Sequence, residues 1–223
     1  MKSDEFQNIN DLELEHWWYK GLDDLLFQSL QRYSITQTFQ ILDAGCGTGR
    51  IAYKLLPKKI FGIDCSQEAV NICHKRGLEH ITLGSVTDMP YKSKQFDLII
   101  STDVLYHKAI PNDQIVLKEF HRILKPGGEM ILNLAALNIL KGPHDGQVNT
   151  RERYNKRMLT DRVRKAGFIP VFTTYRLFFI FPLILGSRLF QRLFNIQTDS
   201  SDIKPTSRLL NSLLYRIIVS ENK

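Results

Sequence analysis

The sequence predicts an α/β fold, a doubly wound and mostly parallel sheet, from three observations. Apolar runs that close in an acid recur at Ile41–Asp43 and Ile60–Asp64. The run Leu98–Ile100 is apolar on both faces, as a central parallel strand buried between helix layers must be. Amphipathic helical stretches separate these runs, and strand–helix alternation marks βαβ units. At 223 residues and 43% hydrophobic content the chain can bury one sizeable core, so a single domain is expected. Its expected parts are an N-terminal helical arm or lid (1–38), an α/β core (39–180) and C-terminal amphipathic helices (181–223).

The first unit lies in Ile41-Leu42-Asp43-Ala44-Gly45-Cys46-Gly47-Thr48-Gly49-Arg50, followed by Ile51, Ala52, Leu55 and Leu56 in helical spacing. That order reads as a strand, a tight glycine turn and a helix. The glycines turn the backbone sharply and leave no Cβ in a ligand's path. A dinucleotide fingerprint would need a small residue where Arg50 stands, and the third glycine comes one residue early for it. An acid two residues before Gly45 suits a ligand with a positively charged end. The pattern resembles motif I of the class I S-adenosylmethionine (SAM)-dependent methyltransferases, acid-x-Gly-x-Gly-x-Gly. The resemblance implies a Rossmann-like fold and SAM as cofactor, bound at Asp43, Gly45, Gly47 and Gly49.

The following elements keep to that family's order. Lys59–Asp64 is a second strand whose closing acid is placed to accept ribose hydroxyls, with Ser66 the better cap for the next helix. That helix carries Ala69, Val70 and Cys73 on one face and stops at Gly77. A third strand, His80–Leu83, leads to Gly84-Ser85-Val86-Thr87-Asp88-Met89-Pro90-Tyr91, which resembles the family's adenine-binding segment. Ser85 stands there in place of an acid, so recognition leans on the Val86 backbone N–H. The stretch Phe96–His107 resembles a further family motif, and the resemblance adds Cys65 and Ser101 to the cofactor set and Tyr106 to the acceptor side. Asp113–Leu124 reads as an amphipathic helix with Ile115, Val116, Phe120, Ile123 and Leu124 inward. Lys125-Pro126-Gly127-Gly128 ends it and turns into a strand over 129–134.

The arm contains both tryptophans side by side, in His16-Trp17-Trp18-Tyr19. Successive helical positions point about 100° apart, so one face should not bury both rings, and an aromatic face is a natural partner for a sulfonium cation. The segment resembles the arm of a subgroup of these methyltransferases, where Trp18 and Tyr19 would form part of a lid on SAM.

Charge divides the chain. Residues 1–150 hold 16 basic and 18 acidic side chains, whereas 151–223 hold 14 basic and 5 acidic, so all of the net charge of +7 arises in the last third. There the pattern predicts a helix over 155–167, with Met158, Leu159, Val163 and Ala166 inward, and a strand from Pro170 to about Phe179. Two amphipathic helices follow, one starting at Pro182 with Leu185, Leu189, Phe190, Leu193 and Phe194 on a face. The other presents Leu209, Leu210, Leu213, Leu214, Ile217 and Ile218. Such helices cap a substrate pocket, form a dimer seam or lie peripherally in a membrane interface. A closing strand has no candidate beyond Ile217–Ser220.

The three cysteines show no metal-ligand spacing, no metal is expected, and Cys46 and Cys65 read as small core residues. The polar, acidic first fifteen residues do not read as a secretory leader, so a reducing cytoplasm is the expected compartment. Methyl transfer mainly asks that the acceptor be held in line, and a hydroxyl acceptor also needs a base. His107, just past the fourth strand, and His144, beside an orienting Asp145, are the candidate bases, and Tyr154 is placed in the acceptor pocket. The expected acceptor is a small or lipid-linked molecule methylated on oxygen. An RNA acceptor or a silent SAM-binding scaffold is the alternative, and nucleic acid is disfavoured because the basic tail lacks interleaved exposed aromatics.

Overall fold

The computed structural model describes residues 3–31, 38–55, 59–194 and 205–222. In chain order the elements are α1 (Ser3–Leu12), α2 (Trp17–Leu30), β1 (Ile41–Ala44), α3 (Arg50–Lys54), β2 (Ile60–Asp64), α4 (Gln67–Lys75), β3 (Ile81–Leu83), β4 (Phe96–Thr102), α5 (Asp113–Ile123) and β5 (Leu124–Asn133). A short 3₁₀ turn (Asn138–Leu140) precedes α6 (Pro143–Gln147), α7 (Lys156–Lys165), α8 (Phe181–Leu193) and α9 (Arg208–Glu221). These divide into two compact units. Ile35–Ala135 with Arg151–Thr173 form the sheet unit, and Met1–Ser34, Ala136–Thr150 and Thr174–Lys223 form a helical unit.

The sheet has five strands, all parallel, in the order β3-β2-β1-β4-β5. Asp43 on β1 lies level with Gly62 on one side and Ile100 on the other, so β1 is central and strand order reverses beside it. Ligands of doubly wound sheets bind outside the carboxyl ends of the strands at that reversal. Leu42, Ile63, Leu98, Ile99 and Ile100 are fully enclosed, which explains why these strands read as continuous apolar runs.

The helices follow their caps and stripes. Ser66 caps α4 by accepting from Ala69 N–H at 3.3 Å, Asn112 caps α5, and Asn155 caps α7. On α5 the buried face is Val116, Leu117, Phe120 and Ile123, while Ile115, expected inward, is 43% exposed. It stands roughly 130° from the centre of that face at 100° per residue. Leu56, expected on α3, lies outside the described residues.

Two expected strands do not form. Residues 170–177 carry no regular structure and 178–179 enter a turn, while Ile169, Val171 and Phe172 stand exposed. Strand propensity is realised only on a pleated surface with neighbours to pack and bond against. Ile217–Ser220 instead continues α9, whose Leu214, Ile217 and Ile218 keep helical spacing on one face.

In the helical unit α2 and α9 lie side by side. A Cβ on Gly21 would come within 2.5 Å of an Ile218 methyl, so glycine permits the close approach. Asn211 accepts from Trp17 N–H at 2.8 Å, and Asn222 donates to Gly21 carbonyl at 2.9 Å. Both tryptophans are half-buried against the Leu177, Ile180 and Ile218 cluster. Neither ring is fully buried, and the two meet edge-on, 5.8 Å between centroids. No helix among the described residues is long and apolar enough to cross a membrane.

Candidate active site

At the carboxyl end of β1 all three alternating glycines adopt left-handed backbone, φ +80° at Gly45, +53° at Gly47 and +77° at Gly49. Their duties differ. A Cβ on Gly45 would fall 2.2 Å from a Val104 methyl, and one on Gly49 would fall 2.4 Å from Leu78 and 2.8 Å from the Cys73 sulfur. Those two glycines let the turn press against β4's exit and against α4. A Cβ on Gly47 would meet nothing within 4 Å, so this glycine alone borders open space that a ligand can enter.

The turn is fastened from three sides. Gly45 and Cys46 N–H groups donate to Ile63 carbonyl at 2.8 and 3.0 Å. Arg76 donates to Thr48 carbonyl at 3.0 Å, and the Cys73 thiol lies 3.3 Å from Gly47 carbonyl. The Asp64 carboxylate, at the end of β2, accepts from Gly47 N–H at 2.8 Å with one oxygen and from Ser66 N–H at 2.9 Å with the other. Each carboxylate oxygen has a second lone pair, so Asp64 can hold the glycine turn and still accept ribose hydroxyls. Asp43 is 1% exposed, within the sheet.

The remaining cofactor candidates take distinct places. Cys65 is exposed at the end of β2, a correction to its reading as core. Cys46 is buried and pairs with Cys73, whose hydrogen bond, more than burial, pushes the Cys46 thiol well up and keeps it protonated. Gly84 N–H donates to Asp64 carbonyl at 2.9 Å, bringing the Ser85–Val86 segment to the same sheet edge. Ser85 uses its hydroxyl locally, 2.7 Å from Thr87 Oγ1, and Val86 is buried. Ser101 is fully buried and donates to Ala44 carbonyl at 2.8 Å, so its hydroxyl fastens β4 to β1 inside the sheet.

His107 sits on the loop after β4, half-buried, with Nδ1 accepting from Ala109 N–H at 3.2 Å. That bond keeps the proton of the neutral ring on Nε2. Burial lowers its pKa, so the ring stays neutral at physiological pH.

Tyr154, placed by sequence in the acceptor pocket, lies instead in a buried polar network. Its hydroxyl donates to Asp113 at 2.8 Å, and burial first, then the Asp113 charge, pushes its pKa up. Arg151 and Arg162 also bond Asp113, and Glu152 accepts from Arg162 at 2.8 and 3.0 Å. Arg151 further donates to Ile110 carbonyl, and its N–H bonds Tyr106 carbonyl at 2.7 Å. The network thus clamps the loop that carries Tyr106 and His107. Sequence reasoning missed it, because Asp113 stands 41 residues from Tyr154.

Trp18, Tyr19 and His144 belong to the helical unit. The cation over the Trp18 ring is the Arg176 guanidinium, 5.4 Å from the centroid. Asp145, expected to orient His144, turns its carboxylate to Gly142 N–H at 2.8 Å and caps α6.

A family model described as a methyltransferase domain matches residues 35–178. The chain belongs to the SAM-dependent methyltransferase family. In its sheet unit Gly47 borders open space and the Asp64 carboxylate accepts from Gly47 N–H beside it. This methyltransferase is 33% identical over 134 residues to a tRNA U34 carboxymethyltransferase of Nautilia profundicola, covering 56% of this chain and 43% of that protein. It is 35% identical over 98 residues to a tRNA (carboxymethyluridine(34)-5-O)-methyltransferase of Arabidopsis thaliana, covering 43% and 24%. The chain thus spans less than half the length of these curated relatives. Among solved structures it resembles a SAM-dependent methyltransferase of Thermotoga maritima described as a possible histamine N-methyltransferase. The TM-score is 0.58 at 24% identity over 75% of this chain and 78% of that one, a likeness of fold.

Asp64→Ala is expected to weaken SAM binding by about 1.5–3 kcal/mol, the range for hydrogen bonds to a charged group. Equilibrium dialysis with labelled SAM measures it, and unchanged affinity would remove Asp64 from the site.

Proposed function

We propose that this methyltransferase moves the methyl group of SAM to an oxygen that is already anionic, a carboxylate carried by an RNA nucleoside. The observation that carries the reading is the His107 geometry. With Nδ1 engaged by Ala109 N–H and the proton on Nε2, the neutral ring offers a donor and not a base. A carboxylate attacks without losing a proton, so the chain's task is to hold it in line. An Nε2–H donor can hold one carboxylate oxygen while the other attacks. SAM, when bound, supplies the methyl group already activated on sulfur.

RNA as carrier is supported by the relatives whose names record chemistry at tRNA uridine 34 and by the excess of basic residues in 151–223. This replaces the small-molecule acceptor, and the view of nucleic acid as an improbable partner, drawn from sequence. A lipid-borne acid is the second reading, favoured by the exposed apolar residues of α8 and α9. Contact of Trp18 and Tyr19 with SAM, as in the aromatic-arm subgroup, and a part for His144 in acceptor binding belong to the same proposal.

Labelled SAM incubated with total tRNA and, separately, with extracted lipid acids tests it. Transfer to tRNA as a label released by mild alkali, the mark of a methyl ester, is the expected result. Alkali-stable label would mean a hydroxyl, nitrogen or carbon acceptor and would overturn the carboxylate reading. The rate should be flat from about pH 6.5 upward, because burial keeps the His107 pKa below its ordinary 6.5. His107→Gln, which keeps a donor, should retain activity within about tenfold, whereas loss of a general base costs about 10²–10⁴. A rate rising through a histidine titration, lost in that variant, would overturn the anionic-oxygen reading.

A further inference from the structure

Helix α8 is turned the opposite way from an ordinary surface helix. Its inward contact is made by Ile180 before its first turn and by Ile184, both in the cluster around Leu177 and Ile218. None of its residues is fully buried. Leu183, Leu189, Phe190, Leu193 and Phe194 are all exposed, Leu183 at 71% and Leu193 at 79%. At 100° per residue these five fall within one arc of roughly 140°, a continuous apolar stripe facing out. Arg188 and Arg192 lie on the other side, Arg192 bonding Ile139 and Lys141 carbonyls at 2.8 and 3.2 Å.

Helix α9 repeats the arrangement. Leu214, Ile217 and Ile218 face inward, while Leu209, Leu210 and Leu213 are exposed, Leu209 at 87%. Arg208 and Arg216, both exposed, flank those leucines. Between them α8 and α9 carry four arginines and one acid, Glu221. The Glu221 carboxylate is taken by Phe178 N–H at 2.8 Å.

We propose that the exposed faces of α8 and α9 dock this protein on an anionic membrane surface, with the helices lying in the plane of the interface. Charge selects this occupant. A second copy would bring like-charged arginines together across a two-fold contact, which costs affinity. RNA offers phosphates to the arginines but nothing to cover six leucines and two phenylalanines. A bilayer interface takes both, burying the apolar stripes at the headgroup boundary while the exposed Arg208 and Arg216 beside the α9 leucines meet anionic lipid. The helices are too short to cross, so lying flat is the available mode.

Co-sedimentation of the full chain with phosphatidylglycerol–phosphatidylcholine vesicles tests this, with pure phosphatidylcholine vesicles as the comparison. Binding to the anionic vesicles, weakened by salt, is the expected result. The double variant Leu193→Asp, Leu209→Asp should lose about a hundredfold in partition, from the removal of two buried leucines. Both positions are exposed, so the variant should fold, and unchanged far-UV circular dichroism would verify it. Equal binding by the variant, or none by the wild type, would overturn the proposal. So would a concentration-dependent dimer that the variant abolishes. So, too, would tRNA binding lost in the variant without any vesicle binding. None of these readouts involves catalysis, so failure here is separate from failure of the carboxylate reading.

Discussion

Gly47→Val is expected to abolish SAM binding in a protein that still folds. Nothing lies within 4 Å of the position its Cβ would take, so the branched side chain enters the space beside the turn that the cofactor must use. The backbone there has φ +53°, which costs an ordinary residue about 1–2 kcal/mol and a β-branched one more. A fall in melting temperature of several degrees should therefore accompany the loss of binding. Calorimetric titration with SAM measures the first effect and thermal unfolding the second. Gly45→Val or Gly49→Val should instead act mainly on stability, since Val104, Leu78 and Cys73 occupy the space. A Gly47→Val protein that binds SAM as the wild type does would show that the open space is not the cofactor's.

Asp113→Ala should be the most destabilising change in the sheet unit outside its apolar core. The carboxylate is 3% exposed and receives Tyr154, Arg151 and Arg162. Removing it leaves two half-buried guanidinium groups without their central acceptor, which in buried pairs costs about 3–5 kcal/mol. Urea unfolding measures the loss, and a change below about 1 kcal/mol would sink the clamp. The network also sets an acid limit. Arg162, through its hydrogen bonds, holds the Glu152 pKa below the ordinary carboxylate value. A depressed acid contributes stability that is present above its unfolded pKa of about 4.3 and lost as pH falls through the folded one. Wild-type stability should therefore drop below about pH 4.3 more steeply than that of Glu152→Gln.

What sequence could and could not reveal follows the reach of each interaction. The stripe that buries Ala69, Val70 and Cys73 and the Ser66 cap depend on residues a few positions apart, and both were legible. His107 was legible as a residue at the sheet's carboxyl edge, because it follows a strand recognisable by its apolar run. Its chemistry was not, because the proton position depends on a loop that brings Ala109 N–H back onto the ring. Tyr154 looked like a pocket residue because a tyrosine after a charged run has no partner in its own segment. Its partner, Asp113, is 41 residues away.

By itself the sequence determined the α/β class, the parallel sheet and the SAM-dependent methyltransferase family. Alternating glycines, acids at strand ends and apolar periodicity each act over a few residues and so survive in a linear reading. Only the tertiary structure decided which glycine of the turn borders open space, which tyrosine is held inside, how α2 meets α9 and which faces of α8 and α9 remain outside. Those outcomes rest on what lies against each side chain. Cys73 reaches Gly47 across 26 residues, Arg162 reaches Asp113 across 49 and Asn222 reaches Gly21 across 201. Contacts of that span arise only once the chain has folded, and no local pattern encodes them.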